Sequence, residues 1–329
     1  MDKLTSKDNL EIQLKKTAKS TNEGSYGTRD RYLEGAKRAY RYIAEKYNQQ
    51  KIQNLRGKHL HDLVDHMKAE GYAPATIRTD LSGIRFMYKK AGGTNRLPTN
   101  KELGVPKGER GTIDRAWSDT EVKKAIDTAD KMGRPDVSLA IRVGRAFGFR
   151  LNEVCTIRVE HIEKAMTQTG GLRVLGKGGK YRSIPIKTDE QRDVVRKLYD
   201  YAKNNHLQKG DFIISENKYR GVEAQKKSIQ SWICNHRDKF MDKNRAAVIE
   251  PGKKRKTERI SFHGLRYDFA QEKKERLDKE GVKNPEKEVS QSLGHNRVSI
   301  TRHYLADVPV KKSKKKGYRH AEKEENSSK

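Results

Sequence analysis

This 329-residue sequence has few cysteines, few aromatic residues and no long apolar run. Its two cysteines, Cys155 and Cys234, are too few for a disulfide framework, and Cys155 belongs to the apolar pattern of a predicted helix. No stretch approaches the roughly 18 apolar residues of a membrane-spanning helix, and the N-terminal region lacks the apolar segment of a secretory signal. We therefore expect a cytoplasmic protein with free thiols and no membrane partner.

Positive charge is present in large excess. The 73 lysines and arginines outnumber the 44 acidic residues, which gives a formal net charge of +29. Although only 33% of residues are apolar, they recur at helical spacing over most of the chain, so we expect folded domains rather than disorder. A charge of this size exceeds what solubility needs and attracts polyanions with salt-dependent affinity. Nucleic acid is the predicted partner.

The first third of the chain predicts a small helical domain between two less regular segments. Residues 1–27 are polar and indicate a flexible N-terminal arm. Three amphipathic segments then predict a helical domain over residues 28–92. Residues 93–116 contain several glycines and prolines without apolar periodicity, and they are predicted to form an interdomain linker.

The remainder predicts a mainly helical second domain over residues 117–310, with a small sheet. Ser118 and Glu121 have the spacing of a capping box, which predicts a helix start. A glycine-rich turn between apolar segments predicts a β-hairpin, and residues 311–329 form a basic and polar tail. Helices are predicted at about 119–131, 137–157, 188–205, 224–241, 263–275 and 285–293, and strands at 172–175 and 181–186.

Six residues suited to phosphodiester chemistry lie in order along the second half of the chain. Any one of them alone is weak evidence, because basic residues are abundant here and a single histidine or tyrosine is usually structural. Their local sequences add weight, especially a Leu-Gly-His followed nine positions later by tyrosine. They are Arg150 in GFRLNE (148–153), Lys177 in GKGGKYR (176–182), His263 and Arg266 in HGLR (263–266), His295 in LGH (293–295), and Tyr304.

These residue types supply what transesterification of a phosphodiester needs. The reaction requires a nucleophile, neutralisation of the nonbridging oxygens and a proton for the leaving oxygen. Divalent metal ions can meet the last two needs, but the sequence contains no carboxylate cluster typical of a two-metal nuclease and no recognisable zinc-ligand spacing. Arginine forks, a lysine and histidines can act in their place. We therefore predict chemistry without a metal or another cofactor.

The joint pattern resembles the tyrosine recombinase family, the phage-type integrases. The resemblance covers about residues 28 to 305 and implies a helical core-binding domain followed by an α+β catalytic domain. It implies that Tyr304 attacks the scissile phosphate to form a 3′-phosphotyrosyl link and that Lys177 protonates the departing 5′ oxygen. Strand exchange would then proceed through a Holliday junction, with four protomers on two double-stranded DNA sites.

The other motif residues have expected roles around the phosphate. Arg150 and Arg266 would bind its oxygens as planar forks, while His263 and His295 would exchange a proton or donate hydrogen bonds. Glu153 matches an acidic position of the family and would orient Arg150 or a histidine through a contact across one helical turn. Further DNA contacts are predicted for the basic residues Lys180, Arg182, Lys253, Lys254, Arg255 and Lys256.

Other functions remain open on sequence grounds. A type IB topoisomerase shares the chemistry but rejoins the same strand. A catalytically silent DNA-binding or regulatory protein on the same scaffold would carry the same charge, and an RNA-binding protein would explain the charge but not the ordered motifs. The target DNA sequence, the outcome of recombination (integration, excision, inversion or dimer resolution), and the need for accessory DNA-bending or directionality proteins are not encoded in these motifs.

Overall fold

The computed structural model describes residues 5–107, 115–167, 171–176, 179, 181–215, 221–243, 260–295 and 297–305. The chain divides into two compact units, Met1–Glu109 and Arg110–Lys329. Helices dominate both, and the strands within the described residues form one two-stranded antiparallel sheet, which confirms the predicted fold class. Cys155 and Cys234 are free thiols, the first buried and the second exposed. In the described part of the chain, no helix is both long enough and apolar enough to cross a membrane.

In the described residues of the first unit, four helices pack around a core of their own. The second and fourth pack together, and Ala36, Ile43, Leu81 and Ile84 are fully buried between them. A short 3-10 turn at Ile52–Asn54 adds Ile52 to this core. The helices are α1 (Ser6–Lys19), α2 (Tyr26–Tyr47), α3 (Gly57–Ala69) and α4 (Pro74–Lys90).

The first helix corrects the prediction of a flexible arm over residues 1–27. Thr5 and Asp8 form a capping box, in which each side chain accepts a hydrogen bond from the other's backbone N–H. Leu10 and Leu14 lie one turn apart and are each 1% exposed, because α1 packs on α2. Only two apolar residues make up this stripe, so the polar composition of the segment did not indicate a helix. The spacing of Thr5 and Asp8, which is that of a capping box, could have predicted the helix start.

The linker predicted for residues 93–116 is also partly wrong. Leu103 and Val105 are buried in the core of the first unit, and Leu97 packs against it. Arg85 of α4 holds this segment by donating hydrogen bonds to the carbonyl of Pro98 and to the side chain of Asn100. The segment that contains Leu97, Leu103 and Val105 therefore belongs to the first unit, although its charged and glycine-rich sequence is typical of a linker.

The second unit is organised around α6. Eleven of the thirteen residues of this helix are buried, as expected for a helix covered on all sides, and it packs against α5, α7, α9, α10 and α11. The strands pair Leu172 with Ile184 and Val174 with Arg182. Its elements are α5 (Asp119–Lys131), α6 (Pro135–Phe147), α7 (Leu151–Cys155), α8 (Val159–Thr167), β1 (Leu172–Leu175), β2 (Tyr181–Ile184), α9 (Asp189–Asn204), α10 (Val222–His236), α11 (Gly264–Lys279), α12 (Pro285–Leu293) and α13 (Val298–Thr301), with 3-10 turns at Arg237–Lys239 and Arg302–Tyr304.

Local signals located most of these elements. The predicted helices at 119–131 and 285–293 are found over those residues, and the Ser118 and Glu121 capping box is confirmed. The helix predicted over 137–157 is instead broken at Gly148, which has a left-handed φ of 61°. Helix α8 was not predicted. The break at Gly148 matters for function, because Arg150 follows it directly.

Candidate active site

Arg150 is positioned by the turn that ends α6. A Cβ on Gly148 would lie 2.4 Å from Cδ1 of Phe269, so both the left-handed backbone and the close packing require glycine at this position. Arg150 then becomes the N-cap residue of α7. Glu153, 2% exposed, accepts hydrogen bonds from the Arg150 backbone N–H at 2.8 Å and from its Nη1 at 3.0 Å. The expected contact across one helical turn is therefore present, and it leaves the Arg150 side chain 32% exposed.

Arg266 lies in the first turn of α11 and is completely buried. Its Nη1 donates to the carbonyl of Gly148 at 2.5 Å, and its Nη2 donates to the carbonyl of Leu293 and to Nε2 of His295 at 3.0 Å. Within the described residues it forms no ion pair with a carboxylate, and its Nε has no hydrogen-bond partner. Burial, and then the charge of Arg150, lower its pKa to about 10. At neutral pH the guanidinium is a buried cation, and no carboxylate of the described residues pairs with it.

Tyr304 lies at the end of the last described 3-10 turn, against α11 and α12. Its hydroxyl is 3.1 Å from Nε2 of His263, and its ring centroid lies 5.6 Å from the guanidinium carbon of Arg266. Tyr267, a neighbouring tyrosine, packs beside it with the ring centroids 4.5 Å apart. His263 as a whole is exposed, but its hydrogen-bonded edge is partly buried. Desolvation, and then the charge of Arg266, lower the pKa of His263 to about 4.

His295 completes the group from the C-terminal end of α12. This helix ends at Gly294, whose left-handed φ of 63° turns the chain toward the site. Nε2 of His295 accepts the hydrogen bond from Arg266, so the ring proton lies on Nδ1, which is 2.9 Å from the hydroxyl of Thr301. Burial and then the charge of Arg266 lower the pKa of His295 to about 3. Both histidines are therefore neutral at physiological pH.

Arg182, which the sequence predicts to contact DNA, forms hydrogen bonds inside the second unit. Its side chain is 16% exposed, its Nη2 donates to Oε2 of Glu153 at 2.6 Å, and its Nη1 donates to the carbonyl of Ser292. Sequence reasoning missed this internal role. The alternation of the hairpin was a usable signal, because Arg182 pairs with the buried Val174 and so faces inward.

The structure places five of the six motif residues in one region of the second unit, and the sixth, Lys177, lies outside the described residues. The contacts above link His263, Arg266, His295 and Tyr304. Arg150, held by Glu153, is near enough for its charge to lower the pKa of Arg266. No group of three or more histidine, cysteine, aspartate or glutamate side chains in the described residues is placed to hold a metal ion. The predicted residues Lys177, Lys180, Lys253, Lys254, Arg255 and Lys256 lie outside the described residues.

This arrangement suits an anion that approaches a phenol. Two guanidinium groups favour negative charge, and one of them is buried with no carboxylate partner in the described part of the chain. Planar forks also match the nonbridging oxygens of a phosphate. A neutral imidazole beside the Tyr304 hydroxyl can accept its proton as the oxygen becomes a nucleophile. The chemistry available here is attack of tyrosine on a phosphodiester.

Comparison with known proteins places both units in one family. A family model described as the phage integrase family matches residues 117–309, and a model described as phage integrase, N-terminal, matches residues 7–97. The two matches fall on either side of the division between the units.

Two curated relatives are named as tyrosine recombinases. Tyrosine recombinase XerC of Natranaerobius thermophilus is 24% identical over 289 residues, which span 85% of this chain and 88% of that protein. Tyrosine recombinase XerC of Pseudomonas putida is 28% identical over 140 residues, 41% of this chain and 45% of the relative.

Solved structures share the fold. A lambda integrase fragment bound to DNA has a TM-score of 0.61 at 17% identity and covers 94% of this chain and 100% of its own. XerH site-specific recombinase bound to its difH substrate has a TM-score of 0.55 at 14% identity and covers 92% of this chain and 96% of its own. At such identities the likeness concerns the fold alone.

Proposed function

This chain belongs to the phage integrase family and is a tyrosine site-specific recombinase, and from that premise we propose that it cleaves and rejoins DNA through a covalent bond to Tyr304. The observation that carries the proposal is the 3.1 Å contact between the Tyr304 hydroxyl and Nε2 of His263, beside the buried guanidinium of Arg266. A nucleophile, a proton acceptor and a phosphate-binding cation lie within one cluster.

In the proposed cleavage step, Tyr304 Oη forms a bond to the scissile phosphorus while the bond from phosphorus to the 5′ oxygen breaks. His263 accepts the phenolic proton, because its lowered pKa keeps the imidazole neutral and its Nε2 lies 3.1 Å from the Tyr304 hydroxyl. Arg150 and Arg266 bind the nonbridging oxygens, and Lys177, by its motif, protonates the departing 5′ oxygen. His295 is held by Arg266 and donates to the phosphate once that negative charge raises its pKa.

The resulting 3′-phosphotyrosyl bond preserves the energy of the broken strand. A 5′ hydroxyl of a partner duplex attacks this bond, releases Tyr304 and joins the exchanged strand, so the cycle consumes neither ATP nor water. The two arginines neutralise the phosphate oxygens and the lysine protonates the leaving oxygen, whereas some nucleases stabilise these oxygens with metal ions.

The proposed partners are double-stranded DNA sites and further copies of this chain. One solved structure that shares the fold is a lambda integrase tetramer bound to a Holliday junction, with a TM-score of 0.59. We propose the same assembly here, with four protomers on two sites, acting on DNA in the cytoplasm. The net charge of +29 supports binding to the phosphate backbone.

A covalent trapping experiment tests the nucleophile. The protein is incubated with fragments of its host genome in EDTA, quenched with detergent, and digested for mass spectrometry of nucleotide-modified peptides. Wild type is expected to carry a nucleotide on Tyr304. Tyr304→Phe should bind DNA with unchanged affinity and form no adduct, while the matched variant Tyr267→Phe, which removes the hydroxyl next to it, should still form one.

Other outcomes would contradict the proposal in distinguishable ways. A nucleotide on a different residue would refute the assignment of Tyr304. Tight DNA binding by wild type with no adduct would favour the catalytically silent DNA-binding protein. Relaxation of a supercoiled plasmid that contains the trapped site, without exchange between two copies of that site, would favour topoisomerase activity.

A further inference from the structure

We propose that Arg182 is a positioning residue for DNA cleavage, which aligns Arg150 and His295 from a place where it contacts neither the reacting atoms nor DNA. The inference rests on the proposed function and extends it to a residue outside the six-residue motif. Its basis is a guanidinium that joins three separate elements of the second unit: β2, which carries it, α7 and α12.

The first connection runs from Arg182 through Glu153 to Arg150. Glu153 is 2% exposed and accepts from Arg182 with one carboxylate oxygen and from Arg150 Nη1 with the other. Burial alone would raise the pKa of the Glu153 carboxyl, but the charge of Arg182, followed by the contacts with Arg150, holds it below its usual value. Without Arg182, this buried carboxylate would lose its stronger partner and Arg150 would lose a fixed anchor.

The second connection runs from Arg182 to the end of α12. The last carbonyl groups of a helix have no partner within the helix. Here the carbonyl of Ser292 accepts from Arg182, and the next carbonyl, that of Leu293, accepts from Arg266. These two bonds fix the helix end two residues before His295. Arg182 and Arg266 thus bind neighbouring carbonyl groups of the same helix end, and only Arg266 also contacts His295.

Gly294 provides the space that Arg182 occupies. A Cβ at position 294 would lie 3.1 Å from Cδ of Arg182 and 3.3 Å from its Nε. The missing side chain therefore serves two purposes, because it permits both the left-handed turn toward His295 and the approach of Arg182 to the helix end.

The geometry requires a planar fork. Nη1 and Nη2 of Arg182 point to two different elements, whereas a lysine ammonium is a single point charge on a flexible stem. Lysine at this position would keep the charge but hold only one of the two partners well. Conservation of charge is therefore not expected to preserve activity.

The rate of adduct formation on saturating DNA separates this role from a DNA contact. The probe is a fragment that becomes linked to wild type. Arg182→Met and Arg182→Lys are expected to bind it with unchanged affinity but to form the adduct about 100-fold more slowly, the effect of a displacement of about 1 Å at a reacting centre. Arg173→Met is the matched control, since Arg173 is an exposed arginine of the same hairpin, and it should react at the wild-type rate.

A double-mutant cycle separates positioning from general destabilisation. If Arg182 acts through Glu153, then Glu153→Gln combined with Arg182→Met should be about as slow as the slower single variant. Independent damage to the fold would instead multiply the two losses. Fluorescence-monitored unfolding of each variant establishes whether it is folded. If Arg182→Met does not fold, Arg182→Lys replaces it in the cycle.

The other possible outcomes contradict either the role of Arg182 or the proposed function. If the Arg182 variants bind DNA more weakly but form the adduct at the wild-type rate on saturating DNA, Arg182 is a DNA contact. If both their affinity and their rate are close to those of wild type, Arg182 has no role in cleavage. Either result refutes this inference and leaves the proposed function standing. Multiplied losses in the cycle also refute it. Absence of any adduct with wild type refutes the proposed function itself, and this inference with it.

Discussion

Mild acid should destabilise the second unit through His295. Its Nε2 accepts a hydrogen bond from Arg266 at 3.0 Å, so protonation would place two donors and two positive charges against each other. The perturbation is a change from pH 7 to pH 5 in the DNA-free protein, compared between wild type and His295→Gln. Glutamine can still accept from Arg266 with its side-chain oxygen, but it does not titrate.

The magnitude follows from the pKa of His295, which falls from 6.5 in the unfolded chain to about 3 in the folded protein. Because the unfolded chain binds the proton more tightly, this contribution to stability is complete above pH 6.5 and is lost as the pH falls from 6.5 toward 3. At about 1.36 kcal/mol per pH unit, the change from pH 7 to pH 5 should lower the free energy of unfolding by about 2 kcal/mol.

Tryptophan fluorescence during urea unfolding is a suitable assay. The two tryptophans of the chain, Trp117 and Trp232, both lie in the core of the second unit, so their signal reports that unit. Other titrating groups, including His263, are present in both proteins. Their contributions to the pH dependence of the unfolding free energy are therefore subtracted in the comparison. Wild type should lose about 2 kcal/mol more than His295→Gln between the two pH values. Equal losses would show that His295 is not held neutral by Arg266 and would refute the reasoning.

Two further predictions concern the hairpin and the first helix. Lys177→Ala should slow adduct formation by at least about 100-fold if Lys177 is the general acid, whereas Lys180→Ala should mainly weaken DNA affinity; the reverse order would exchange their roles. Leu14→Ala should lower the free energy of unfolding of the first unit by about 2–5 kcal/mol, measured by circular dichroism, because Leu14 is 1% exposed. Ile12→Ala on the same helix should have little effect, since Ile12 is 52% exposed, and equal effects of the two variants would argue against the packing of α1.

Interactions within a few residues were readable from the sequence. The Ser118 and Glu121 capping box and the helix after it depend on contacts within one turn, as does the bond between Arg150 and Glu153. The same kind of reasoning missed α1, because a stripe of two leucines has little weight against a polar background until α2 covers it. Local pattern indicates that an element can form, and packing decides whether it does.

The sequence by itself determined the family pattern, the order of the site residues and the local turns that carry them. Only the tertiary structure decided their environment. It brought His263 and Tyr304, 41 positions apart, into hydrogen-bond contact, and it buried Arg266 with no carboxylate ion-pair partner among the described residues. It also gave Arg182 hydrogen bonds to Glu153 and to the carbonyl of Ser292. The physical reason is that burial and electrostatic surroundings arise from segments distant in the chain, whereas caps and turns arise from neighbours.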